Sequence, residues 1–165
     1  MDHGLGTAYL GRLVAERAGL APDAAFLVGL LHDLGKLVIL KLAFDQKKKG
    51  QGVTPDELEW LIQTTHAAIG ARVLDRWQLP EEIVAPVAWH HDPDQAIEPH
   101  TRAAAVAWLA NRLSHRYGFG CSPEPDADLL SDPITIGLGI DEAWLATADE
   151  KAPGLFQVAR DVLAA

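Results

Sequence analysis

No stretch of this 165-residue chain alternates apolar and polar residues as a half-buried strand requires, whereas apolar positions recur near a 3.6-residue period in one segment after another. That single feature restricts the chain to an all-α fold. From Leu5 to Ala18, the positions Leu5, Ala8, Tyr9, Leu13 and Val14 share one helical face, with Arg12, Glu16 and Arg17 among the polar ones. This helix starts almost at residue 1 with no loop or cap before it, which reads as a fragment lacking an upstream part. Pro22-Asp23 opens a second helix through Leu31, proline being harmless where its missing N–H has no intrahelical partner. Gly35 predicts a break or bend before Leu37–Phe44, and Gln46 to Gly52, with Lys47, Lys48 and Lys49, predicts a solvated loop. Thr54-Pro55-Asp56-Glu57 has the pattern of a capping box, and the helix it opens turns Leu58, Leu61 and Ile62 inward. Further helices are expected over His66–Trp77, from Leu79-Pro80 to near His91 with Pro86 kinking it or lying in its first turns, and over Thr101–Tyr117. Gly118 to Asp132 reads as a loop. Asp141 then caps a short helix to about Ala148, and Pro153-Gly154 precedes a last one to Leu163.

Length and composition bound the rest. A chain of this size forms one domain that buries roughly 68–70% of its unfolded surface, and 48% apolar with 22% charged residues is ordinary globular usage. Fourteen Lys and Arg against twenty-three Asp and Glu leave a net charge of −9, so the chain offers no general attraction to a nucleic-acid polymer or an anionic membrane. Cys121 stands alone and cannot form an internal disulfide, and the N-terminus lacks the basic start and apolar run of a signal peptide; a cytoplasmic location is expected. The most apolar window, Ala24 to Phe44, contains His32, Asp33, Lys36 and Lys41, each costly in hydrocarbon, which argues for buried helices and against a membrane span. Acidic residues after Ser122 and at Asp149-Glu150 read as a solvated face.

Seven histidines stand at positions 3, 32, 66, 90, 91, 100 and 115, and five of them lie on or at the ends of expected helices among apolar neighbours. His32-Asp33 sets an imidazole beside a carboxylate. Adjacent helical residues point about 100° apart, so both can face one ion only near a helix end. His90-His91 repeats the arrangement before Asp92-Pro93, and His3 and His66 each lead an expected helix. Any one of these residues alone fits an ordinary core or surface role: Asp33 could pair with Lys36, and Trp77 and Trp89 read as core aromatics. Together they form a nitrogen-rich, sulfur-free donor set suited to Fe, Mn, Zn, Ni or Cu, and burying them without partners would be costly.

The constellation His3, His32-Asp33, Lys36, His66 and His90-His91 resembles the HD phosphohydrolase superfamily. The runs Phe26 to Lys36, His66 to Ala71, Trp77 to Pro80 and His90 to Pro93 resemble its HDOD branch in particular. The resemblance covers about residues 3–117 and implies an HD-domain-like helical bundle over 1–117, without the additional upstream lobe that many HDOD proteins carry. Residues 118–165 would then form a C-terminal loop and helices packed on the same domain. It implies one or two divalent transition-metal ions (Fe, Mn, Zn or Ni) held by His3, His32, Asp33, His66, His90 and His91. The superfamily's closing aspartate falls at Asn111, whose amide oxygen can coordinate but brings no charge. His90-His91 is followed by Asp92-Pro93-Asp94-Gln95, so the Gly-Tyr-Pro signature of the cyclic-dinucleotide-hydrolysing HD-GYP branch is absent.

HDOD relatives imply a regulatory module of bacterial signalling with an HD-type metal centre and a signalling protein as partner. The competing expectation is a metal-dependent phosphohydrolase or phosphodiesterase acting on a nucleotide or cyclic nucleotide. In that case Asp33 is catalytic, Lys36 neutralises a phosphate oxygen, and water acidified by the metal attacks phosphorus in line. Lys36 is equally well a surface lysine near a helix end. A third reading is an interaction domain with histidines scattered in its core. His100 and His115 match no motif position and are expected to face solvent.

Overall fold

The computed structural model describes residues 2–119 and 128–164. The remaining positions, Cys121 and the acidic residues just after Ser122 among them, lie outside the described residues. Among the described residues eight α-helices follow in order: α1 (Asp2–Ala18), α2 (Pro22–Leu31), α3 (Leu34–Lys48), α4 (Pro55–Arg76), α5 (Glu81–Ala88), α6 (Thr101–Arg116), α7 (Pro133–Gly137) and α8 (Glu142–Ala164), with a 3-10 turn at Pro93–Gln95. No strand occurs among the described residues.

Local chemistry explains most boundaries. α2 carries proline at its first position and acidic Asp23 in its first turn. The Thr54 capping box forms: its hydroxyl accepts from the Glu57 backbone N–H while Glu57 Oε2 accepts from the Thr54 N–H at 2.8 Å. Asp132 and Asp141 cap α7 and α8 by accepting from the N–H groups of Ile134 and Trp144.

Several boundaries differ from those expected. α4 is continuous through His66, which sits in the middle of a 22-residue helix. α5 ends at Ala88, leaving His90-His91 in the following turn with Pro86 buried inside the helix. α3 runs through Lys48, so Lys47 and Lys48 occupy its last turn, where cations complement the helix dipole. α8 is one helix that contains Pro153, and α7 was not anticipated because five residues are too few to show a period. Asp149 is more than a solvated residue, since it accepts from the Tyr117 hydroxyl at 2.7 Å. Trp77 and Trp89, expected in the core, are 59% and 39% exposed.

Two apolar clusters hold the bundle. Leu10, Val14, Val106, Leu109, Leu113 and Phe119 join α1 to α6 and to Leu138, Ile140 and Leu145 further along the chain. Val28, Leu74, Ile83, Val84, Val87 and Ala107 join α2, α4, α5 and α6. Burying each Val, Leu, Ile or Phe side chain among them contributes about 1.5–3 kcal/mol. With the bundle so packed, the segments that carry His3, His32, His66 and His90-His91 are drawn together.

The break expected at Gly35 lies two residues earlier, at His32-Asp33, and Gly35 does something different. It is buried in the first turn of α3 against α4, where a Cβ would stand 1.9 Å from the carbonyl oxygen of His66 and 2.8 Å from the nitrogen of Gly70. Gly70 faces it in turn, its own Cβ position being 3.2 Å from the Gly35 nitrogen. Two glycines thus let α3 and α4 cross backbone to backbone beside the His-Asp doublet.

Candidate metal centre

Four of the five imidazoles of the cluster are oriented by a carbonyl. His32 Nδ1 lies 2.7 Å from the Gly29 oxygen, His66 Nδ1 2.7 Å from that of Ile62, and His90 Nδ1 2.8 Å from that of Val87, all within one turn upstream in sequence. His3 Nδ1 lies 2.9 Å from the Phe119 oxygen, with Ser114 Oγ 3.1 Å away. A carbonyl can only accept, so Nδ1 carries the proton in these four rings and the neutral imidazole presents a bare Nε2.

Those bare nitrogens converge. His3 and His32 approach Nε2 to Nε2 at 3.3 Å, His66 and His90 at 3.3 Å, and His91 reaches His66 at 3.1 Å. Asp33 spans the two sets: its Oδ2 lies 3.7 Å from His3 Nε2 and 3.5 Å from His32 Nε2, and its Oδ1 lies 3.4 Å from His66 Nε2. The donors fall into two trios, His3-His32-Asp33 and His66-His90-His91, in each of which the ligand atoms lie within 4.8 Å of one another.

Electrostatics keep the lone pairs free. Burial pushes the pKa of all five imidazoles below the ordinary histidine value, that of His32 down to about 4. Burial acts on Asp33 in the opposite sense, but the facing His32 and the Lys36 ammonium outweigh it and hold the carboxyl below the usual carboxylate range. Lys36 Nζ donates to Asp33 Oδ2 at 2.8 Å. At neutral pH two pairs of acceptor-only nitrogens therefore face each other at hydrogen-bond distance, and the buried Asp33 Oδ1 has no hydrogen-bond partner. Acceptors so placed repel unless a cation lies between them, and the donor set of five imidazoles and one carboxylate fits a divalent transition metal.

Asn111 sits on α6, one turn before Ser114 and on the same face, and its Oδ1 is likewise buried without a partner. His32, His66 and His90 are buried, while His91 is exposed and His3, Asp33 and Lys36 are half-buried, so the cluster opens to solvent along one edge. Beside His66 and His91 lies a recess of about 270 Å³ bordered by Gln63, Thr64, Trp89 and Asp92.

Sequence reasoning missed His115. Its ring centroid lies 4.7 Å from that of His3 and it is half-buried, not solvent-facing. Ser114 and the Phe119 carbonyl were missed too, because their contacts with His3 span more than 110 residues. The carbonyls of Gly29, Ile62 and Val87 had a readable signal: each lies three or four residues before its histidine, as helical geometry demands.

An all-helical domain whose His-Asp doublet meets four further histidines is the architecture of the HD type. The HDOD domain family matches residues 1–93, more than half of the chain, and the chain belongs to that family. It is similar in fold to an HDOD domain protein of unknown function from Geobacter sulfurreducens (TM-score 0.69, 23% identity, 96% of this chain and 60% of that one). A similar match is a Marinobacter aquaeolei protein provisionally named as a signal-transduction protein (TM-score 0.69, 20% identity, 96% of this chain and 38% of that one). In sequence it is 32% identical over 114 residues to ribonuclease Y of Opitutus terrae, covering 69% of this chain and 17% of that protein. The chain thus spans about one sixth of that curated relative. No described helix is long and apolar enough to cross a membrane.

Proposed function

We propose that this chain is an HDOD-type regulatory module of bacterial signalling, built around a divalent transition-metal centre. His3, His32, Asp33, His66, His90 and His91 would hold one or two ions, and Asn111 would add a neutral oxygen donor. The observation that carries this reading is the convergence of bare Nε2 atoms on the Asp33 carboxylate, with two acceptor-acceptor contacts at 3.3 Å. A bound ion would supply Lewis acidity toward a phosphoryl oxygen and would acidify water. The protein's own groups do the rest: the backbone carbonyls fix the rings, Asp33 ties the trios together, and Lys36 balances its charge.

Charge favours regulation over turnover. Asp33 is the one carboxylate among the seven proposed ligands, so two dications would leave the centre strongly positive, suited to retaining an anion. A phosphohydrolase reading is favoured by the solvent-facing edge, where Lys36 Nζ could meet a phosphate oxygen and the recess beside His91 could take the remainder of a nucleotide. The likeness to ribonuclease Y adds RNA to the substrates worth testing, although the net charge of −9 opposes a polymeric anion.

Elemental analysis of protein purified without added metal, followed by assay on nucleotides, cyclic nucleotides and short RNA with Mn²⁺ or Fe²⁺, separates the readings. Bound metal without turnover supports the regulatory module. Turnover abolished by both His32→Ala and Asp33→Ala assigns a hydrolase, and metal-free protein whose stability ignores chelators would reject the centre itself.

A further inference from the structure

A second pocket lies outside the imidazole cluster, where the start of α2 meets the starts of α5 and α6. It has a volume of about 260 Å³, and Ala24, Val28, Glu82, His100, Ala103 and Val106 contribute to its walls. Alanines on two facing helices leave this space open, where larger side chains would have closed it. Val28 and Val106 form a buried floor.

Two polar groups border this apolar chamber, and neither is used elsewhere. The Glu82 carboxylate and the His100 imidazole make no hydrogen bond or ion pair among the described residues. His100, expected to face solvent, is half-buried. An apolar hollow with a few polar groups at its rim, here the exposed Glu82 carboxylate and the half-buried His100, has the form of a small-molecule site, and this small one has room for a body on the order of ten non-hydrogen atoms. The carboxylate selects the charge of the ligand, and a net charge of −9 enriches small cations around the chain.

We propose that this pocket binds a compact hydrophobic primary amine, its hydrocarbon body between α2 and α6 and its ammonium group on Glu82, with His100 as a second hydrogen-bonding partner. Val28 directly precedes Gly29, whose carbonyl orients the His32 ring, so the pocket and the imidazole cluster share α2.

The test titrates 2-phenylethylamine, with 2-phenylethanol as a neutral probe of the same shape, into the chelator-treated chain and follows binding by calorimetry. Saturable one-to-one binding of the amine is expected, at least tenfold tighter than that of the alcohol. Glu82→Gln should reduce the amine to the level of the alcohol, and Ala103→Leu should abolish both, with far-UV circular dichroism checking that each variant folds. Absence of saturable amine binding to the wild type overturns the site, as does binding that Ala103→Leu leaves intact. Amine binding that survives Glu82→Gln unchanged overturns the assignment of the ligand as a cation.

Discussion

Replacing Gly35 with alanine tests whether backbone contact between α3 and α4 assembles the cluster. The new methyl carbon would stand 1.9 Å from the His66 carbonyl oxygen, whereas real Cβ contacts essentially never fall below 3.0 Å, so the helices must part by at least 3.0 − 1.9 = 1.1 Å. The obstructing atoms are backbone, and the His66 carbonyl already accepts the helical hydrogen bond of Gly70, so no side-chain rotation can relieve the clash. Overpacking of this kind costs about 1–3 kcal/mol, with the rigid setting placing it near the upper end. Alanine regains about 1 kcal/mol of helix propensity, and the net expectation is a loss of about 2 kcal/mol. Urea unfolding of chelator-treated protein, followed by circular dichroism, measures it as a lower midpoint at unchanged slope. Gly154→Ala is the control: that residue is exposed in α8 with nothing near its Cβ position, and it should gain about 0.5–1 kcal/mol. A Gly35→Ala variant as stable as the wild type would refute the claim of backbone contact.

Asn111→Asp should raise the metal content of purified protein if that buried oxygen faces the ions, because a carboxylate replaces a neutral donor; unchanged content, read by elemental analysis, would remove Asn111 from the ligand set. His90→Ala should lower metal retention at least tenfold in a chelator competition, and retention equal to the wild type would contradict the assignment of the second trio. Chelator-treated protein should lose stability as pH falls. The folded state holds histidine pKa values below their unfolded value, so the unfolded chain binds more protons below about pH 6.5. For His32 alone, the span from 6.5 to about 4 corresponds to about 3 kcal/mol lost across that window, and Asp33, also lowered, extends the loss below its unfolded value of 3.8. A flat stability profile between pH 7 and pH 4.5 would contradict the buried, neutral state of these rings. Thr54→Ala removes one half of the capping box and should cost about 1 kcal/mol, measured by the same urea assay.

What could be read along the chain was whatever depends on near neighbours. The apolar period marked α1, Pro22-Asp23 marked the start of α2, the Thr54 box fixed the start of α4, and the His-Asp and His-His doublets marked the candidate ligands. Readings failed where a local signal had two meanings. Gly35 looked like a helix breaker because glycine lowers helix propensity, yet a missing Cβ equally permits close packing, and only the position of α4 decides between the two. His66 was expected to lead a helix, yet Thr64 and Thr65 before it are helical as well. Their hydroxyls bond back to the carbonyls of Trp60 and Leu61 inside a continuous helix.

The sequence by itself determined an all-helical chain with candidate ligands on or near its helices at positions far apart along the chain, because period, caps and side-chain chemistry act within a few residues. The tertiary structure alone decided that His3 meets Ser114 and Phe119, that His115 lies beside it, and that Asp33 reaches His66 across the glycine crossing. Those contacts depend on how closely helices approach, and the approach is set by packing volumes summed over the whole core, which no local pattern encodes.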